Sequence, residues 1–163
     1  MNSTADPAAA RVIARFAADG LTLATSESLT GGLIGASLTC VPGASQVYLG
    51  GVIVYATAMK ALLSGVDQEV LESHGAVSAE AVRAMATGVR QQTGADWAIA
   101  VSGVAGPTEQ EGHPPGTVWI GVADAHTCYS RLFGFAGDRA EVRRRTVVAA
   151  FDLLLGRLDL GTS

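Results

Sequence analysis

Short apolar runs typical of β-strands alternate along this chain with longer segments that repeat apolar residues at helical spacing. The first helix is predicted to begin with Asp6 as its cap and Pro7 at its first position, and to end at Gly20. Strands are predicted over 21–25, 47–55, 97–101, 117–123 and 128–135. Helices separate most of these strands. This order predicts an α/β fold, a three-layer α/β/α sandwich with a mixed central sheet.

Length and composition favour one domain over 1–163, with residues 1–6 as a flexible tail. The net charge of −4 argues against a nucleic-acid-binding face. The N-terminus has no signal-peptide pattern, and no apolar run reaches the roughly 20 residues of a membrane span. We therefore expect a cytoplasmic protein without a membrane partner. Cys40 and Cys128 form no CxxC pattern, so we expect no metal site and no disulfide.

Three turns each follow a predicted strand, at 26–32, 55–60 and 102–107, and the first and third of them are rich in glycine. In open α/β sheets, ligand sites gather where strands end and loops begin. We therefore expect these three turns to meet in one site.

Ser28 lies in the first turn, just before a helix predicted over 33–39. A serine at this position most often only caps the helix, but Thr30 can take that role and leave Ser28 as a nucleophile. Gly31 and Gly32 let the backbone approach a ligand, and N–H groups at a helix N-terminus suit an anion. The turn by itself is compatible with a cap, an oxyanion site or a phosphate site.

Lys60 is the best candidate for the base that a serine nucleophile needs. The three histidines, His74, His113 and His126, are predicted at a helix end and in loops. Ten of the eleven cations are arginines, which cannot give up a proton, whereas a buried neutral lysine can act as a base. The alternative is an ordinary solvated lysine.

Tyr55 and Arg139 are further candidates with ordinary alternatives. Tyr55 can relay a proton or orient Ser28, or it can simply cover the sheet edge. Arg139 lies in the first turn of the last predicted helix, 138–158, where the helix dipole disfavours a cation. A phosphate ligand would explain that position, and the alternative is a surface arginine.

The third turn offers backbone groups that can surround a substrate, or it is a plain exit from a strand. Its candidate substrate-binding residues are Ser102, Gly103, Ala105 and Gly106. The segment lacks the glycine spacing of a dinucleotide-binding fold and of a P-loop.

Seven segments, in this order, resemble the CinA C-terminal domain family, which includes nicotinamide-nucleotide amidohydrolases. They are SESLTGG at 26–32, VPGAS at 41–45, GGVIVY at 50–55 followed by Lys60, GAVS at 75–78, VSGVAGP at 101–107, PGTV at 115–118 and GDR at 137–139. The resemblance runs from about Leu21 to Leu158.

The resemblance implies hydrolysis of the carboxamide of nicotinamide mononucleotide (NMN) to nicotinate mononucleotide and ammonia, without a metal or cofactor. Ser28 would be the nucleophile, Lys60 its base and Tyr55 a helper, while Arg139 would bind the substrate phosphate. Oxyanion donors are expected among the N–H groups of Thr30, Gly31 and Gly32 or of Ser102 and Gly103. The resemblance also suggests a homodimer.

The chain departs from the family pattern in two loops. Residues 56–59 read Ala-Thr-Ala-Met where the family commonly has Ser-Asn-Glu-Ala, and Glu109 and Glu111 add carboxylates to the loop 108–114. These departures leave two other functions open. One is a non-catalytic nucleotide- or partner-binding domain of the competence- or damage-inducible type, and the other is an amidase for a different small amide.

Overall fold

A five-stranded mixed sheet forms the centre of the protein in the computed structural model, which describes residues 6–161. The strands are β1 (Leu23–Glu27), β2 (Tyr48–Ile53), β3 (Trp97–Gly103), β4 (Thr117–Ala123) and β5 (Cys128–Gly134). Their order across the sheet is β2–β1–β3–β4–β5. Strand β1 is parallel to both β2 and β3, whereas β4 is antiparallel to β3 and β5.

Helices cover both faces of this sheet, which confirms the predicted three-layer α/β/α arrangement. They are α1 (Pro7–Asp19), α2 (Leu33–Thr39), α3 (Thr57–Ser64), α4 (Gln68–His74), α5 (Ala79–Thr93) and α6 (Arg139–Gly161). One core lies between the sheet and α1, α2 and α6, and it includes Phe16 and Phe151. The other lies between the sheet and the helices α3, α4 and α5.

The first helix begins and ends as its sequence predicts. The side chain of Asp6 accepts a hydrogen bond from the Ala8 N–H at 2.8 Å, and Gly20 closes the helix in the left-handed conformation with φ of 67°. Asp6 is therefore part of the helix start, which corrects the prediction of a flexible tail over 1–6. Residues 1–5 of that predicted tail lie outside the described residues.

Strand β1 ends two residues later than predicted, so Ser26 and Glu27 belong to the strand and not to the turn. All five residues of β1 are buried, because β1 has a hydrogen-bonded neighbour on each side. The ladder to β3 continues one residue further, where the Ser28 N–H donates to the Val101 carbonyl at 3.1 Å. Ser28 is thus the first residue after the strand and is fixed by the sheet.

The last helix begins at Arg139, where the Asp138 carboxylate accepts a hydrogen bond from the Glu141 N–H at 2.9 Å. The sequence pairs Asp138 with Glu141 three residues later as a capping-box-like helix start, and this contact confirms the cap by Asp138. Among residues 6–161, no helix combines the length and the apolar character that crossing a bilayer requires.

Candidate active site

The three turns predicted to meet do share one cavity of about 520 Å³. Ser28 lies at the end of β1, Tyr55 and Lys60 come from the segment after β2, and residues 102–106 come from the end of β3 and the loop after it. Arg139, at the start of α6, also lines the cavity. The volume is within the usual range of small-molecule sites, roughly 300–1,000 Å³.

Ser28 and Lys60 are in direct contact inside this cavity. The Lys60 Nζ lies 3.1 Å from the Ser28 Oγ and 3.1 Å from the carbonyl oxygen of Val54. Both side chains are nearly inaccessible, with 6% of Ser28 and 2% of Lys60 exposed. The alternative of a solvated lysine is therefore wrong, and the pair has the geometry of a nucleophile with its base.

Burial lowers the pKa of Lys60, because the charged ammonium loses its water. The carboxylate of Glu111 acts in the opposite direction and raises that pKa by its negative charge. Neutral Lys60 has two N–H groups and one lone pair. With one N–H directed at the Val54 carbonyl, the lone pair can accept the proton of Ser28.

A hydrogen bond between two serine hydroxyls holds α3 against β1 beside the Ser28–Lys60 contact. The Ser26 Oγ and the Ser64 Oγ are 2.7 Å apart, and both side chains are fully buried. Ser26 and Ser28 are two residues apart at the end of β1, so their side chains point to the same face of the sheet. Lys60 and Ser64 are four residues apart in α3, so their side chains lie on the same side of that helix. The Ser26–Ser64 contact therefore sets the position of Lys60 relative to Ser28.

Glu27 is a buried carboxylate that caps α2. One of its oxygens accepts hydrogen bonds from the Thr30 hydroxyl at 2.6 Å, the Gly32 N–H at 3.1 Å and the Ile34 N–H at 3.0 Å. The other accepts from the Gly35 N–H at 2.8 Å. The helix N-terminus thus already holds an anion that belongs to the protein.

This cap corrects part of the predicted site. Thr30 does not cap α2, and its hydroxyl instead donates to Glu27. The N–H of Gly31 donates to the Ser28 carbonyl and that of Gly32 donates to Glu27, so neither is available to an oxyanion. Thr30, Gly31 and Gly32 also lie outside the cavity lining.

The predicted substrate-binding residues Ser102, Gly103, Ala105 and Gly106 all line the cavity, the first two from the end of β3 and not from a turn. The Ser102 hydroxyl donates to the Ala76 carbonyl at 2.6 Å and so joins the end of β3 to the loop before α5. Gly103 has no space for a side chain, because a Cβ there would lie 2.5 Å from the Thr117 carbonyl oxygen.

Tyr55 contacts Arg139 and not the pair of Ser28 and Lys60. Its hydroxyl accepts a hydrogen bond from the Arg139 guanidinium at 3.0 Å, and 62% of the residue is exposed. The same guanidinium donates to the Gly106 carbonyl at 2.9 Å. The predicted proton relay between Tyr55 and Ser28 therefore has no hydrogen bond to support it, and Tyr55 orients Arg139 at the cavity edge.

Glu111, in the loop 108–114, is turned toward the backbone beside the cavity. Its carboxylate accepts hydrogen bonds from the N–H groups of Ala76 at 3.2 Å and Val77 at 3.1 Å, both of which line the cavity. Gly75 is the residue that allows this approach, since a Cβ there would lie 2.7 Å from the carboxylate. Glu111 itself has a φ of 52°, a conformation uncommon for a residue with a side chain.

Comparison with known protein families shows that the sequence model of the CinA C-terminal domain matches residues 5–158. The chain belongs to this family. A CinA-like protein from Frankia casuarinae is 47% identical over 133 residues, covering 82% of this chain and 31% of that protein. A putative competence-damage inducible protein from Bacillus velezensis is 43% identical, covering 86% of this chain and 34% of that protein.

This CinA C-terminal domain thus spans about a third of the length of the curated relatives it matches. Its fold agrees closely with solved members of the family. The competence damage-inducible protein A from Klebsiella pneumoniae has a TM-score of 0.91 and 36% identity, and the match covers 93% of this chain and 95% of that one.

In this CinA C-terminal domain, sequence reasoning gave no role to Glu27. The available signal was a carboxylate in an otherwise apolar and hydroxyl-bearing strand, one residue before the candidate nucleophile. A charge in a buried strand needs several partners, and the N-terminus of the next helix supplies them. Within residues 6–161, no group of three or more His, Cys, Asp and Glu side chains is arranged to hold a metal ion.

Proposed function

We propose that this protein is a nicotinamide-nucleotide amidohydrolase that converts NMN to nicotinate mononucleotide and ammonia, with Ser28 as nucleophile and Lys60 as base. The observation that carries this proposal is the 3.1 Å contact between the Lys60 Nζ and the Ser28 Oγ in a cavity of small-molecule size. A serine hydroxyl in contact with a buried lysine at the wall of such a cavity is the arrangement that activation of a nucleophile by a general base requires.

In the first half of the reaction, neutral Lys60 takes the proton of Ser28 while the Ser28 Oγ attacks the carboxamide carbon. The new C–O bond produces a tetrahedral intermediate with a negatively charged oxygen. Protonated Lys60 then gives its proton to the amide nitrogen, the C–N bond breaks, and ammonia leaves. A nicotinoyl ester on Ser28 remains.

In the second half, water attacks the ester carbon while neutral Lys60 accepts a proton from it. The bond between the carbon and the Ser28 Oγ breaks, and the serine oxygen regains its proton from Lys60. The carboxylic acid formed loses its remaining proton to solvent, and the carboxylate product is released. The same two side chains thus serve both half-reactions, and every proton that Lys60 accepts is returned within one turnover.

The oxyanion donor in this proposal is the N–H group of Leu29. Among residues 6–161, this N–H donates to no protein acceptor, and Leu29 directly follows the nucleophile and lines the cavity. A donor of this kind typically contributes about 3 kcal/mol to the stability of the transition state.

Arg139 is the proposed ligand of the substrate phosphate. Its guanidinium has five N–H donors, and its contacts with Tyr55 and Gly106 orient the group at the cavity edge while leaving donors for a phosphate. It also lies in the first turn of α6, so the helix dipole favours an anion at the same place.

Ammonia release from NMN by the wild type and by Ser28→Ala tests the proposal. We expect turnover by the wild type, none by Ser28→Ala, and none by Lys60→Arg, because arginine cannot act as a base. Activity that survives Ser28→Ala would rule out the nucleophile. NMN binding without turnover would favour a non-catalytic binding domain, and turnover of another amide alone would favour a different amidase.

We also propose that the protein is a homodimer, as the family resemblance suggests, and that it is located in the cytoplasm. Light scattering during size-exclusion chromatography gives the mass in solution, and a mass of one chain would contradict the dimer. Fractionation of the source cells would test the location.

A further inference from the structure

Arg143, in α6, contacts the backbone of the turn that follows Ser28. Its Nε donates to the Leu29 carbonyl and one of its terminal nitrogens donates to the Thr30 carbonyl, both at 3.0 Å. Arg143 is half-buried and lies one helical turn after Arg139. A guanidinium presents its donors in a rigid fork, which here matches two consecutive carbonyl groups.

These contacts complete the set of bonds that fixes the turn. The Ser28 carbonyl accepts a hydrogen bond from the Gly31 N–H at 3.1 Å, so the carbonyl groups of residues 28, 29 and 30 all have donors. On the α2 side, Glu27 binds the N–H groups that follow. Because each peptide unit is planar, a fixed carbonyl also fixes the N–H of the next residue.

We propose that Arg143 is a positioning residue that holds the turn after Ser28 in its reactive geometry. By binding the Thr30 carbonyl, Arg143 fixes the peptide plane that carries the Gly31 N–H, and this N–H holds the Ser28 carbonyl. The Ser28 carbonyl shares a peptide plane with the Leu29 N–H, which is the proposed oxyanion donor. Arg143 lies outside the cavity lining and acts through these peptide groups, whereas Arg139 lines the cavity. This inference rests on the proposed hydrolytic function.

The kinetic test compares Arg143→Ala with Arg144→Ala in NMN deamidation. Arg144 is on the same helix, but it is exposed and pairs with Glu141 at the surface. We expect Arg143→Ala to lower kcat by about tenfold to hundredfold, because small misplacements of reacting groups carry costs of this size. KM should change less than about twofold, since the substrate does not touch Arg143. Arg144→Ala should match the wild type.

Arg143→Lys keeps the positive charge and should disturb folding less than Arg143→Ala does. A lysine ammonium is a point donor and cannot reproduce the fork, so we expect a kcat between those of Arg143→Ala and the wild type. Thermal unfolding of all three variants identifies any loss of folded protein. If Arg143→Lys restores full activity, the forked geometry is not required and the proposal fails.

A second readout keeps this proposal separate from the choice of substrate. Acylation of Ser28 by p-nitrophenyl acetate, with Ser28→Ala as the blank, needs the oxyanion donor but no nucleotide phosphate. A wild type that is acylated yet releases no ammonia from NMN would contradict the proposed function only. Arg143→Ala should still be acylated about tenfold more slowly. Equal acylation of Arg143→Ala and Arg144→Ala, or a rise in KM alone, would overturn the positioning role.

Discussion

Gly88 in α5 faces the backbone carbonyl of Ser64, the last residue of α3, with no room for a side chain between them. A Cβ at position 88 would overlap the Ser64 carbonyl oxygen and would lie 2.8 Å from its carbon. Glycine is unfavourable inside a helix, so its presence here has a packing reason. It lets α3 approach α5 closely enough to bring Lys60 to Ser28.

Gly88→Ala should therefore displace the end of α3 and lower both stability and activity. We expect a loss of about 1–3 kcal/mol in the free energy of unfolding, the usual cost of overpacking. We also expect a lower kcat, because Lys60 moves with the helix. Urea unfolding and NMN deamidation measure the two effects.

Gly156→Ala is the matched control, since Gly156 is also helical but has open space around its Cβ position. That change should be neutral or should stabilise by up to about 1 kcal/mol. Equal effects at the two glycines would contradict the packing role of Gly88.

Ser64→Ala should separate the placement of Lys60 from its chemistry. The change leaves the buried Ser26 hydroxyl without its partner, which should cost about 1–2 kcal/mol of unfolding free energy. It also frees the end of α3, so kcat should fall while KM for NMN stays near the wild-type value. Ser73→Ala, at an exposed position on α4, should change neither quantity. A normal kcat in Ser64→Ala would show that this hydroxyl pair does not position Lys60.

The pH dependence of deamidation should report the ionisation of Lys60. Only the neutral amine accepts a proton, so kcat/KM should rise with pH as Lys60 loses its charge, and burial moves this rise below the range of an ordinary lysine. The Glu111 carboxylate raises the pKa of Lys60, so Glu111→Gln should shift the rise to lower pH.

Glu69→Gln is the control for this shift, because it removes an exposed carboxylate from α4. It should leave the pH profile in place. A shift of the Glu111→Gln profile to higher pH, or no shift, would show that Glu111 does not act on the base.

Glu27→Gln should destabilise the protein although it preserves the shape of the side chain. The carboxylate accepts four hydrogen bonds, whereas the amide has one acceptor oxygen and directs an NH₂ group at backbone donors. We expect a loss of about 1–3 kcal/mol in the free energy of unfolding. Glu72→Gln, at an exposed site, should stay within about 0.5 kcal/mol of the wild type. If Glu27→Gln loses no more unfolding free energy than Glu72→Gln, the capping role of Glu27 is contradicted.

Local patterns in the sequence were sufficient to predict the order of the elements and several of their ends. The Asp6 cap, the left-handed Gly20 and the Asp138 cap each depend on contacts within a few residues, which the sequence contains in full. The end of β1 was predicted two residues too early. Ser26 and Glu27 are polar, and only their buried neighbours on other elements show why the strand continues through them.

The amino-acid sequence was enough to predict the α/β architecture, the three turns that follow strands and the candidate pair Ser28 and Lys60. Tertiary structure alone decided how those residues are used. Lys60 reaches Ser28 because α3 packs against α5 and β1, Tyr55 turns to Arg139, and Glu27 takes the helix N-terminus expected to bind the substrate. The two kinds of feature differ in the distance along the chain over which they are set. Caps and periodicity depend on residues a few positions apart, whereas the contact between Ser28 and Lys60 spans 32 residues and forms only when the sheet and helices pack.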